Sequence, residues 1–197
     1  MPIQHSGIAI GQTEATRTLS ASDYLAWESG GLDRHEYLNG EVLAMAGADD
    51  RHVAVSGNLY IALRQHLTGS PCRTSMIDMR LHVAAANAFF YPDVLVTCSA
   101  PRHDSASQKN EPELIVEVLS PSTAAYDRGF TFSHYRSLTS LKEYVLIDLD
   151  SRSIDCYRKG SDELRVLHPF ARGAPAHLAS VTLELKAERL FAEVPER

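Results

Sequence analysis

The sequence predicts an α/β (α+β) domain. Its mixed sheet is expected in the order helix, three strands, helix, strand, with an N-terminal hairpin and C-terminal β additions. Three observations carry that expectation. The runs Phe89–Cys98 and Glu113–Leu119 are short, rich in Val, Ile, Leu and Phe, and bounded by turn formers, as strands are. The segment Arg51–Leu67 has the apolar spacing of an amphipathic helix. Asn39-Gly40 stands between two alternating runs, which is the signal of a two-residue hairpin turn.

Taken in order, residues 1–17 show little apolar periodicity and are expected to form a loose arm, leaving 18–197 as one domain. A short helix follows from Ser20 to Glu28, with Ser20 or Ser22 as its N-cap and Gly30-Gly31 as its stop. The hairpin covers His35–Met45. Asp49 and Asp50 open the helix at Arg51, and Val53, Gly57, Tyr60, Ile61, Leu63 and Leu67 mark its inward side. Gly69-Ser70-Pro71 ends it. One long strand is expected from about Cys72 to Val83, then the Asp93 strand after Asn87. A polar loop at Arg102–Asn110 leads to the Glu117 strand, closed by Ser120-Pro121. Asp127 is placed to cap a helix from Arg128 to about Ser137. Strands at Lys142–Asp148, Ile154–Tyr157, Leu164–Leu167 and Val181–Leu185 make the C-terminal layer.

Composition narrows the function classes. The net charge of −6 argues against strong non-specific nucleic-acid binding, which depends on neutralising phosphates. No apolar run reaches the roughly 18 residues of a membrane span, and no signal peptide is visible, so a cytoplasmic protein is expected. The three cysteines, Cys72, Cys98 and Cys156, are widely spaced and read as reduced thiols, not as a disulfide framework or a zinc site. The nine histidines include no HxxxH or HExxH arrangement. A Gly-x-Ser-x-Gly elbow, a P-loop and a dinucleotide fingerprint are all missing.

The chemistry is concentrated in two carboxylates. In Glu113–Leu119, Leu114, Val116 and Val118 face one way, and Ile115, Glu117 and Leu119 the other. Both faces are otherwise apolar, as in a strand covered on both sides. An ionised Glu there must find a partner or keep its proton. Asp93, after Pro92 and before Val94-Leu95, has the same character. Such an acid can pair with arginine, cap a helix or accept backbone hydrogen bonds. A divalent cation shared by Asp93 and Glu117 would satisfy both at once.

The element order, with Asp on one strand and Glu on the next, resembles the PD-(D/E)XK nuclease fold, and within it the Uma family of restriction-endonuclease-like proteins. The residues that carry the resemblance are Glu36, Asn39-Gly40, Met45-Ala46-Gly47, His52, Pro92-Asp93, Glu117 to Thr123, Asp127, Tyr135, Leu141 and Tyr144. They span roughly 18–190. The resemblance implies a restriction-endonuclease-like core and a Mg²⁺- or Mn²⁺-dependent endonuclease acting on DNA. Asp93 and Glu117 would be the metal ligands, with the Val118 carbonyl as a third. Oxygen-only ligation suits Mg²⁺. Glu36 would ligate or orient, and His52 would hydrogen-bond a carboxylate or a water. A homodimer is implied as well. One departure stands out. The usual position of the catalytic Lys, two residues after the Glu, holds Leu119, and the alternative position on the following helix aligns with Thr131. Arg128 and His134 lie three residues to either side and could share that face, Arg128 as an electrostatic substitute and His134 as a base. Two readings therefore stand side by side: a metal-dependent endonuclease, weakened by Thr131, and a catalytically degenerate module for nucleic-acid binding or protein interaction.

Overall fold

The computed structural model describes residues 18–45, 47–98 and 105–196; the expected arm at 1–17 and residues 102–104 of the expected polar loop lie outside them. A six-stranded mixed sheet forms the centre. Its order is β11 (Arg165–Phe170), β10 (Ser153–Lys159), β9 (Glu143–Asp148), β8 (Leu114–Leu119), β6 (Val94–Thr97) and β3 (Arg73–Met76). Among these, β8 and β9 run parallel and the other neighbours antiparallel. A parallel pair needs a crossover. Here it is helical: α3 (Ala124–Tyr126), a π-helical turn (Asp127–Thr131) and α4 (Phe132–Tyr135).

Every residue of β8 is buried. Leu114, Val116 and Val118 pack into one core and Ile115 and Leu119 into the other, as the alternation predicts. Helix α2 (Asp50–His66) covers the first face through Val55, Leu59, Ala62 and Leu63. Asp49 caps it by accepting the His52 N–H at 2.9 Å. Its inward stripe differs from the expected one. Val53 and Ile61 are exposed, while Ser56, Ala62 and Arg51 face inward. Arg51 takes its place because its guanidinium reaches Asp150 and the Leu149 carbonyl; apolar periodicity does not register such a residue.

The second face is covered by α4 and by a five-stranded sheet, ordered β2 (Glu41–Ala44), β1 (His35–Leu38), β5 (Ala88–Phe90), β4 (Arg80–Val83) and β7 (Gln108–Lys109). The β1–β2 turn is the expected one, with Asn39 and Gly40 at φ 46° and 107°. Helix α1 (Ala21–Glu28), capped by Ser20, seats Tyr24 on Tyr37 and Phe89. At the C-terminus, β12 (Ala176–Leu178), β13 (Leu183–Leu185) and α5 (Ala187–Leu190) extend the α2 side of the core. Elements of three or four residues, such as β12 and α5, are too short to show a period in the sequence.

The expected long strand 72–83 is in fact two strands in two different sheets, and so is the run 88–97. Both break at the same level. Pro92 has no N–H to continue a ladder, and opposite it Met79 N–H turns back to the Met76 carbonyl. Met76 pairs with Val94 and Leu81 with Phe90, so residues 77–80 stand opposite 91–93: one residue extra, a β-bulge. Ile77 sits in the bulge at φ 51°, a conformation that costs a residue with a Cβ about 1–2 kcal/mol. The ribbon thus bends from one sheet into the other, and Asp93 lies at the bend.

Two further expectations are corrected. Asp127 does not cap a helix beginning at Arg128; the helical stretch starts at Ala124, and Asp127 lies inside it with αR backbone angles. The Ser120–Thr123 hydrogen bonds start the helix early. Cys72 and Cys98 are not reduced thiols but a disulfide. The β3–β6 register, Arg73 opposite Thr97, brings the next residue of each strand face to face, and nothing in the linear spacing announces it. Cys156 is buried and free. Among the described residues no helix is long and apolar enough to cross a membrane.

The disulfide bridges a sequence separation of 26, so loop entropy alone gives it roughly 3 kcal/mol. We expect thiol titration of the native protein to find Cys72 and Cys98 unreactive, and reduction to lower the urea-unfolding free energy by up to about that amount. An unchanged midpoint after complete reduction would contradict the crosslink.

Candidate active site

The bend delivers Asp93 to the side of β8 that carries Glu117. The two residues hold each other through the backbone. Asp93 N–H donates to Glu117 Oε2 at 3.1 Å, and Val118 N–H donates to Asp93 Oδ2 at 2.7 Å. The Asp93 carbonyl accepts from Ile77 N–H at 3.3 Å. From the first turn of α2, His52 brings Nε2 to 2.9 Å from Asp93 Oδ2. From α4, the buried Tyr135 hydroxyl donates to Glu117 Oε1 at 3.1 Å. Four elements, β6, β8, α2 and α4, thus converge on two carboxyl groups.

Two more acids border them. Glu36 on β1 accepts from the Tyr126 hydroxyl at 2.8 Å. Asp127, in the π-helical turn, is buried. Burial pushes the Glu117 carboxyl well above the usual range, and the charges of Asp93, Asp127 and Glu36 push it further; the Asp93 N–H offsets only part. Burial, with Asp127 nearby, raises Glu36 to about 7, against the pull of Tyr126 and the Tyr91 backbone. Burial and the charge of Asp93 raise Asp127 to about 6, although Thr123 and His52 draw it down. Burial would lower His52, but the hydrogen bond and charge of Asp93, with Asp49 and the Val118 carbonyl, outweigh it and the net shift is upward. The sequence-predicted Glu36, His52, Asp93, Glu117 and Val118 are therefore brought together.

His134 is placed elsewhere. Its Nδ1 lies 2.8 Å from the Phe130 carbonyl, and its ring packs against Phe90 and Phe130. Arg128 is engaged by Asp155 at 2.7 Å and Asp148 at 3.6 Å. Thr131, where the resemblance would place a lysine, is buried, and its hydroxyl has no hydrogen-bond partner. Sequence reasoning missed Asp127 as a member of the cluster because an Asp before a helical run reads as a cap. It also gave Tyr126 no role; the aromatic one residue before that Asp is the only local hint.

The chemistry of the donors fits a hard divalent cation: several carboxylates and a backbone carbonyl, with little positive charge to balance them. Among the described residues, no three acidic, histidine or cysteine side chains are already closed into a cage. The fit is therefore one of donor type and uncompensated charge.

Protons are held more tightly on Glu36 and Asp127 in the folded protein than in the unfolded chain. Their contribution to stability is fully present below the ordinary carboxylate range and is lost as pH rises through about 6 for Asp127 and about 7 for Glu36. In EDTA the melting temperature should fall between pH 5 and 8. Glu36→Gln should match the wild type at pH 5 and exceed it at pH 8, by something on the order of 2 kcal/mol. Parallel melting curves for the two proteins across this range would contradict the assignment.

Known proteins share both the sequence and the fold. Residues 21–188 match the model of the Uma2 family, described as "Putative restriction endonuclease". The uncharacterized protein slr1290 of Synechocystis sp. is 38% identical over 173 residues, covering 88% of this chain and 91% of that protein. A second Synechocystis protein, the uncharacterized sll1609, is 35% identical over 149 residues, covering 75% and 84%. The crystal structure of "a putative nuclease belonging to DUF820" from Anabaena variabilis has the same fold, with a TM-score of 0.72 at 17% identity over 88% of this chain and 98% of that one. With a family match over most of its length and relatives this similar, the chain belongs to the Uma2 family of restriction-endonuclease-like proteins.

Proposed function

We propose that this protein is an endonuclease that hydrolyses DNA phosphodiester bonds with Mg²⁺ or Mn²⁺. The observation that carries the reading is the Asp93–Glu117 pair. Two carboxylates, one at the bend before β6 and one on β8, are locked together by reciprocal backbone hydrogen bonds in a cluster whose negative charge is not balanced. Asp93, Glu117 and the Val118 carbonyl would hold the ion. When bound, it supplies a Lewis acid that polarises the scissile phosphate and lowers the pKa of a bound water. The chain's own residues do the rest. His52 Nε2 shares a proton with Asp93 Oδ2 and fixes that carboxylate's orientation. Tyr135 holds Glu117, and Tyr126 holds Glu36. Glu36, raised to about 7, keeps its proton in part at neutral pH and releases it when positive charge arrives, while Asp127, raised to about 6, is already largely ionised there. The Uma2 family description and the nuclease named for the Anabaena structure support the reaction class. Cutting both strands calls for two such sites, and the proposal includes a homodimer, checked by light scattering at micromolar concentration.

Supercoiled plasmid should be nicked in Mg²⁺ or Mn²⁺ and not in EDTA. Asp93→Asn and Glu117→Gln should each lose that activity by about 10²-fold or more, as expected when several kcal/mol of metal stabilisation disappears. Calorimetry should show Mn²⁺ binding to the wild type and not to Asp93→Ala. Metal-independent nicking, or nicking that survives Glu117→Gln, would end this reading.

The buried, unpartnered Thr131 hydroxyl lies one turn before Tyr135, on the face that meets Glu117. A lysine there would carry its ammonium group toward the carboxylates. Thr131→Lys is expected to raise metal-dependent nicking by about tenfold or more, with a few degrees lost in Tm because the position is buried. Combination with Glu117→Ala should abolish the gain. Unchanged nicking with Mn²⁺ still bound would show that a missing lysine does not limit this protein.

A further inference from the structure

The bulge residue Ile77 is unusual on three counts. It is β-branched yet sits at φ 51°, where glycine or asparagine is at home. The residue is 54% exposed, although its side chain is fully apolar. Its N–H is hydrogen-bonded to the carbonyl of Asp93, which puts it at the lip of the carboxylate cluster. Neither folding nor solubility asks for isoleucine here. A glycine would relieve the backbone, a polar residue would suit the exposure, and the bulge hydrogen bond uses only the main chain. A strained conformation that persists beside a site points to use by that site.

The backbone around it is hydrogen-bonded. Met79 N–H closes the turn onto the Met76 carbonyl at 3.3 Å. The adjacent Asp78 is tied to Arg34 Nε at 3.0 Å. The main chain that carries the Ile77 side chain is thus tied down on both sides. Nucleic-acid-binding proteins use apolar side chains both as wedges at base steps and in contact with base edges.

We infer that Ile77 is a specificity-determining residue: an apolar wedge that presses on the sugar and base edge of the nucleotide flanking the scissile phosphate in duplex DNA. The inference rests on the nuclease reading given above. It predicts that affinity for duplex DNA depends on the side chain of Ile77, while the stability of the fold does not.

The test compares the full-length wild type with Ile77→Asn, Ile77→Gly and Ile77→Val, by fluorescence anisotropy on a labelled 20-base-pair duplex in Ca²⁺ and by KM for cleavage in Mg²⁺. Asparagine and glycine both tolerate the backbone angle, so both variants should fold with Tm equal to or above that of the wild type. They should bind the duplex about tenfold more weakly, equivalent to about 1.4 kcal/mol, with the loss in KM and not in kcat. Valine should restore most of the affinity. If the wild type binds and cuts DNA and the Asn and Gly variants match it, the wedge is overturned and the nuclease reading stands. If those variants lose several degrees in Tm, the side chain is structural and the wedge is again overturned. If the wild type neither binds nor cuts the duplex, the nuclease reading fails and takes the wedge with it.

Discussion

Asp93 lies at the bend just before β6 and Glu117 on the neighbouring β8, and each carboxylate accepts an N–H from the other's segment: Asp93 N–H for Glu117, Val118 N–H for Asp93. Much of the surrounding structure exists so that this exchange can occur. In an unbroken antiparallel ladder these N–H groups would be occupied by carbonyls of the facing strand. They are free for carboxylates because Pro92 and the bulge at 77–80 end the ladder at that level and turn the ribbon into the second sheet. The bend, the parallel crossover after β8 and the approach of α2 all meet there.

A comparison within the molecule separates a structural acid from those of the site. Glu143 is as buried as Glu117, yet its carboxyl is held below the usual range. Burial alone would raise it, but Ser180, through both N–H and hydroxyl, with Arg158 and Cys156, more than offsets that. Ala179 N–H adds a further hydrogen bond at 3.0 Å. This is a carboxylate whose acceptor capacity is met by the protein. Glu117 has one hydroxyl and one N–H, and three acidic neighbours. The difference lies in donors supplied, not in depth of burial.

The π-helical turn at Asp127–Thr131 gives this cluster its third side. Inserted turns of this kind widen a helix locally and recur at functional sites. Here the turn carries Asp127 toward Asp93 and Glu117, and it leaves Thr131 buried with an unsatisfied hydroxyl. Arg128, in the same turn, is committed to Asp148 on β9 and Asp155 on β10 instead.

Local chemistry made much of this legible in advance. The alternation in 114–119 placed Glu117 among apolar neighbours, Asn39-Gly40 set the hairpin, Asp49 set the start of α2, and the sequence around Asp93 and Glu117 named the two acids that meet. Each of these depends on residues within a few positions of one another, where side-chain period, capping and turn preference act. Other features depended on partners far along the chain. Residues 72–83 had to be divided between two sheets by a bulge whose opposite strand lies beyond Asn87. Cys72 met Cys98 because of a strand register. Arg51 turned inward for Asp150, while Val53 faces outward. Asp127 became part of a charged cluster and not a cap because β1, β6 and β8 closed around it. Periodicity and propensity are properties of a segment. Register, burial and the balance of charge belong to surfaces that come into being only when segments meet, and in this protein that meeting is what turns two acids on strands into a site.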